Sequence, residues 1–114
     1  MSKGISLIVY PVTDLVASKL LFRTLLGVDP YVEGSYYVGF KTGELEVGLD
    51  PNARSRGINV PIAYVDVSDI SKALRSLVDA GAKELQPVTE VGGGLRIATV
   101  KDVDGNILGT RQRA

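Results

Sequence analysis

The sequence predicts an α+β protein made of two βαβββ modules, and three observations point there. The tetrapeptide Val12-Thr13-Asp14-Leu15 recurs conservatively as Val67-Ser68-Asp69-Ile70, an offset of 55 residues. Each copy follows a short apolar run and opens a segment of helical periodicity. Behind each helical segment lie three strand-like runs divided by turn residues, so two copies nearly fill the 114 residues. A two-copy period of this length is not a solenoid, because each half already has a helix to cover its own sheet.

The first strand falls on residues 5–10, too short and too strand-like for a signal h-region or a membrane span. Thr13 or Asp14 is the natural N-cap of the first helix. Val16, Leu20, Leu21 and Leu25 form its apolar stripe, and Gly27 stops it. Strands follow at residues 30–32, 36–40 and 44–49, with turns at Glu33-Gly34-Ser35 and Thr42-Gly43. A polar linker over residues 51–59, carrying Asn52, Arg54, Arg56 and Gly57, separates module one (1–50) from module two (60–114) within a single domain. In the second module Ser68 caps the helix, Ile70, Leu74, Leu77 and Val78 make its stripe, and Gly81 ends it in the left-handed conformation. Strands are expected at 84–91, 95–100 and 106–110, turning at Gly92-Gly93-Gly94 and Asp104-Gly105. Each sheet then has one face covered by its helix and one left concave. Two such faces of curved mixed sheets brought together would enclose a cavity.

Composition narrows the function. At 45% hydrophobic residues the chain can bury a core without disulfides or a structural metal. Thirteen basic and thirteen acidic side chains leave no bulk field to draw nucleic acid or an anionic membrane. Without a single cysteine or histidine, thiol nucleophiles, zinc–thiolate sites, imidazole ligands and Ser-His or Cys-His catalysis are excluded. A cytoplasmic protein that binds a small molecule is the expectation.

The duplicated V-x-D-[LI] helix openings, together with Asp102-Val103-Asp104-Gly105-Asn106 before the last strand, resemble the glyoxalase/bleomycin-resistance/dioxygenase (vicinal oxygen chelate, VOC) superfamily over essentially the whole chain. Val103 stands where that family's D-P-D-G-N turn has proline. The resemblance implies a VOC-type fold and four ligand positions, one per strand, that hold a divalent ion in metal-dependent relatives. Counting back five residues from Val12 and from Val67 puts two of them on Leu7 and Ile62, and the family's D-P-D-G-x-x-x-E pattern, mapped onto Asp102 to Gly109, puts the last-strand position on Gly109. None of the three can coordinate a metal. The fourth lies within residues 44–49, where alternation sends Leu45, Val47 and Leu49 to the helix and Glu44, Glu46 and Gly48 to the concave side. Glu46 is thus the one remnant, and one carboxylate cannot hold a catalytic metal. No metal and no cofactor are expected.

Several side chains are candidates for the cavity wall. Glu46 would accept a hydrogen bond from a ligand amine or act as a base, since burial disfavours its charged form; its plainer role is a solvated carboxylate or an arginine's partner. Tyr36 and Tyr37 sit next to each other on one predicted strand, so one must face the helix and the other, taken as Tyr37, the cavity. Tyr64 shares the face of Ile62. Arg111 shares strand parity with Gly109 and is placed at the cavity rim or in solvent. Arg96 begins a strand just after the glycine run, which is expected to flex either as a lid or as a plain hairpin. That run lacks the Lys-Ser/Thr ending of a phosphate loop, and Asp102, Asp104 and Asn106 lack calcium-loop spacing.

The favoured function is therefore a glyoxalase/bleomycin-resistance-like protein that has lost most of its metal site and binds a small apolar or aromatic molecule. Balanced charge argues against a cationic drug such as bleomycin as that molecule. The alternatives are a lyase, isomerase or dioxygenase-type enzyme relying on Glu46, and a structural or regulatory dimer with a filled cavity. The resemblance further implies a homodimer.

Overall fold

The computed structural model describes residues 2–114. The elements run β1 (Ser2–Pro11), α1 (Leu15–Leu26), β2 (Val32–Glu33), β3 (Val38–Thr42), β4 (Leu45–Asp50), β5 (Ile62–Val67), α2 (Ile70–Asp79), β6 (Lys83–Glu90), β7 (Arg96–Lys101) and β8 (Ile107–Gln112), with a 3-10 turn at Arg54–Arg56. This is α+β, with βαβββ repeated twice. The chain packs as two compact units: Ser6–Ile62 is one, and Ala63–Ala114 together with the residues through Ile5 is the other. No helix among the described residues is long and apolar enough to cross a membrane.

In the first unit the strand order is β2-β3-β4-β1. β1 runs parallel to β4, with Leu7 opposite Glu46 and Val9 opposite Gly48. β3 runs antiparallel to β4, with Gly39 opposite Gly48 and Lys41 opposite Glu46. Strand alternation therefore sorts the residues cleanly. Val38, Phe40, Val47 and Leu49 go to one side, where with Val12 they form a buried cluster closed by Tyr10, Leu15, Phe22 and Leu26. Tyr10 and Phe22 meet with ring centroids 4.9 Å apart. Leu7, Val9, Gly39, Lys41, Glu46 and Gly48 share the other side.

The helix of this unit is not turned as the sequence suggests. Its expected stripe, Val16, Leu20, Leu21 and Leu25, is exposed, and the sheet is met by Leu15, Phe22 and Leu26 instead. Both sets obey helical spacing, so periodicity alone offers two faces, and the aromatic ring decides which one the sheet takes. The N-cap is Asp14, whose carboxylate accepts the amide of Ala17 at 3.0 Å. Gly27 ends the helix at φ 72° and donates to the Arg23 carbonyl, so a side chain there would be strained. The linker is more ordered than its composition implies. Ala53 is buried, and Arg56 is paired with Asp50 at 2.6 Å.

In the second unit the order is β5-β8-β7-β6. β5 and β8 are parallel, with Tyr64 opposite Gly109 and Asp66 opposite Arg111. Val67, Ile70 and Ala98 are buried between sheet and helix with Val65, Ala73, Leu74 and Val88. Two expectations for α2 need correcting. Asp69, not Ser68, is the N-cap, accepting the Lys72 amide at 3.1 Å, with Ile70 at the first helical position. Val78 is exposed. Gly81 does end the helix: it follows the C-cap Ala80 at φ 114° and donates to the Val78 carbonyl. The Asp102–Asn106 segment is a hairpin turn in which the Asp102 carboxylate accepts the amides of Asp104 and Asn106 and the Asn106 side-chain amide. The hydrogen bond from that Asn106 side chain is the main reason the Asp102 carboxyl titrates below its ordinary value.

Candidate functional site

Glu46 owes its position to β4, where Val47 and Leu49 are committed to the helix side and period-two alternation sends Glu46 and Gly48 the other way. It is nine-tenths buried, and its carboxylate accepts a hydrogen bond from the Tyr31 hydroxyl. A buried carboxylate without a donor would be costly, so this bond is part of what permits the position. Leu7 lies beside it on β1 and is also buried. Lys41, its neighbour on β3, sits with its ammonium 4.6 Å from the centroid of the Tyr31 ring, an attractive cation–π distance.

Two tyrosines cover this face, and two glycines make room for them. A Cβ at Gly48 would lie 2.1 Å from the Tyr37 hydroxyl oxygen, and one at Gly39 would lie 3.1 Å from the Tyr31 ring and 3.2 Å from the Tyr37 ring. The rings thus rest on bare backbone of the neighbouring strands, an arrangement that fills space a glycine leaves in a sheet. The Tyr37 ring lies over the face that carries Gly39 and Gly48, but strand parity is not what puts it there. Neither Tyr36 nor Tyr37 belongs to a strand; both precede β3, and Tyr36 is exposed rather than helix-facing.

The second unit repeats the device. Tyr64 is buried on β5, two residues after buried Ile62, and a Cβ at Gly109 would lie 2.5 Å from its ring. Asp66 is next on the same face and accepts from Nε of Arg111 at 2.8 Å and Nε of Arg113 at 3.3 Å. Arg111 is therefore not at a solvated rim. It is 4% exposed and tied into an ion pair, because β8 register brings it directly opposite Asp66. Arg96 does begin β7, but its alternation with Ile97, which is opposite Arg111, puts it on the other face, with Ala98 and the α2 side. It does not join Tyr64, Gly109 and Arg111. The glycine run makes a tight hairpin, Leu95 donating to Gly92 and Val91 to Leu95.

Sequence reasoning missed Tyr31, Lys41 and Asp66. Asp66 was findable, since it follows Tyr64 by two residues and β8 offers a basic partner at the same spacing after Gly109. Tyr31 was not, because the strand expected over residues 30–32 begins only at Val32, so the parity that strand would have given Tyr31 does not apply.

The divalent ion held by metal-dependent VOC proteins does not suit these residues. Leu7, Ile62 and Gly109 offer no donor atom, and Tyr64 fills the space next to Gly109. Among the described residues no three His, Cys, Asp or Glu side chains cluster to hold a metal.

Comparison with solved structures finds the same fold at low identity. A protein described as NAD-dependent benzaldehyde dehydrogenase from Legionella pneumophila is 18% identical, with a TM-score of 0.76 over 95% of this chain and 98% of that one. Methylmalonyl-CoA epimerase from Mycobacterium tuberculosis is 15% identical, TM-score 0.69, over 99% and 89%. A glyoxalase/bleomycin resistance protein/dioxygenase superfamily member from Vibrio splendidus is 14% identical, TM-score 0.70, over 98% and 99%. No curated protein matches in sequence. The sequence model of the Glyoxalase/Bleomycin resistance protein/Dioxygenase superfamily matches residues 4–109, nearly the full length. With its duplicated βαβββ units, the chain belongs to that superfamily.

Proposed function

We infer that this superfamily member binds a small apolar or aromatic molecule without a metal, and that Glu46 is the polar group that orients it. The observation carrying this is a buried carboxylate held by Tyr31 among Leu7, Gly48 and Tyr37. Small-molecule sites commonly combine apolar and aromatic walls with few polar groups. An acceptor-only carboxylate selects a donor, so the favoured ligand carries an amine or hydroxyl on a planar or aliphatic body. Tyr31, 46% exposed, is the wall that can move aside to admit it.

The test is a thermal-shift screen of aromatic amines and their neutral counterparts in EDTA, followed by titration of the best hit. Glu46→Gln keeps the shape and removes the charge, which at a charge-assisted hydrogen bond is expected to weaken binding by about tenfold or more. Hits that bind the variant as tightly as the wild type would refute the assignment.

A second reading, a lyase or isomerase, draws support from the same Tyr31–Glu46 contact and from the likeness to methylmalonyl-CoA epimerase. A carboxylate bonded to a phenol is a proton-transfer pair for a carbon acid next to a carbonyl. The same variant separates the two: solvent deuterium appearing in an acyl thioester with the wild type but not with Glu46→Gln would favour catalysis.

A further inference from the structure

The space beside Glu46 already holds a phenol, one that belongs to the chain itself. Tyr31 stands just before β2 with its amide pinned to the Gly39 carbonyl at 2.9 Å, so its ring turns about an anchored main chain. The hydroxyl donates to the Glu46 carboxylate, and the ring face carries the Lys41 ammonium 4.6 Å from its centroid. The ring rests on Gly39 beside the Tyr37 ring, where a Cβ would lie 3.1 Å from the one and 3.2 Å from the other. Gly39 is not among the glycines of positive φ, so the seated rings, and not the backbone, call for glycine there. Yet Tyr31 remains 46% exposed while the carboxylate it seals belongs to a residue only 9% exposed. A ring that closes over a buried polar group and still stands half in solvent has the character of a plug.

We propose that the ligand is a small phenol that takes the place of the Tyr31 side chain, and that Tyr31 closes the site until the phenol displaces it. The assignment rests on the reading of Glu46 as the group that orients a ligand, and it narrows the ligand's chemistry. Whatever replaces the ring meets the same surroundings: an acceptor for its hydroxyl at Glu46, a glycine floor for a flat body, and an ammonium over its face, which favours an electron-rich ring. Lys41 also decides between the two donors that a carboxylate accepts. It stands directly opposite Glu46 on the neighbouring strand, so an arylalkyl ammonium would bring a second cation to the same place, and a neutral phenol does not. Tyr31 leaves by side-chain rotation, which gives up a hydrogen bond to a carboxylate, a factor of about ten to a hundred. The closed site therefore binds an outside phenol more weakly than the open one by that factor.

Titration with p-cresol, the tyrosine side chain as a free molecule, followed by NMR, tests the proposal. Tyr31→Ala is expected to bind p-cresol about tenfold or more tighter than the wild type. Tyr31→Phe keeps the ring but loses its hold on Glu46, so it should fall between the two, and it carries the test should the alanine variant fold poorly. Toluene, which has no hydroxyl, and protonated benzylamine should each bind the Tyr31 variants at least about fivefold more weakly than p-cresol. Adding Lys41→Met should weaken p-cresol by about two- to fivefold and remove the discrimination against benzylamine. Tyr31 variants that bind p-cresol no better than the wild type, or benzylamine bound as tightly as p-cresol, would overturn the phenol assignment. If Glu46→Gln still weakens benzylamine in that event, Glu46 keeps its role and only the phenol assignment falls. Binding of p-cresol to Tyr31→Ala that is unchanged by Glu46→Gln would defeat both.

Discussion

Gly109→Val is expected to destabilise the protein by about 1–3 kcal/mol, the cost of forcing a side chain into an already filled space. The Tyr64 ring lies so close that even a Cβ would sit 2.5 to 2.8 Å from three of its carbons, and Tyr64 is itself buried. The cause is packing and not backbone conformation, because Gly109 is not among the glycines with positive φ. A cycle with Tyr64→Ala isolates it. In that background the valine should cost at least about 1 kcal/mol less, as expected for residues in direct contact. Equal costs in both backgrounds, by urea denaturation, would show that the ring is not what excludes the side chain. The result bears on the resemblance, which maps a ligand carboxylate of the family onto Gly109: the same ring would stand in the way of a side chain there.

Arg111→Met should be more damaging, about 3–5 kcal/mol, because it leaves Asp66 largely buried without the guanidinium that compensates it. The Arg111 side chain is 5% exposed and that of Asp66 16%, so water replaces little of what is lost. Arg113, more distant at 3.3 Å and more than half exposed, compensates only in part. Combining Arg111→Met with Asp66→Asn removes the uncompensated charge and should recover a clear part of the loss. A double variant no more stable than Arg111→Met, measured by the same denaturant titration, would mean that Arg111 contributes through packing of its stem rather than through the pair.

The modules were legible because the duplicated helix openings and turn residues are local signals, and local signals survive without knowledge of tertiary contacts. Strand parity was equally informative: it put Glu46 and Gly48 on one side of β4 and Val47 and Leu49 on the other, as the register shows. Parity failed where its premise failed. Tyr36 and Tyr37 precede β3 instead of lying in it, and Arg96, though on a strand, has to be counted against β8 before its face is known. The orientation of α1 was ambiguous for a different reason. Leucines ring most of that helix, so two apolar stripes compete, and only the fit of Phe22 against Tyr10 selects one. The Tyr31–Glu46 bond was out of reach because it joins a loop residue to a strand residue fifteen positions on.

The resemblance maps the family's ligand positions onto Leu7, Glu46, Ile62 and Gly109, three of which carry no donor atom, so the protein is expected to have no affinity for divalent ions. Titration of metal-stripped protein with Ni²⁺, Mn²⁺ and Zn²⁺ by calorimetry tests this most directly. The expected result is no stoichiometric binding at micromolar metal and no change when Glu46 is replaced by alanine. One equivalent bound at micromolar concentration, and lost in Glu46→Ala, would contradict the account and return Glu46 to the role of a metal ligand.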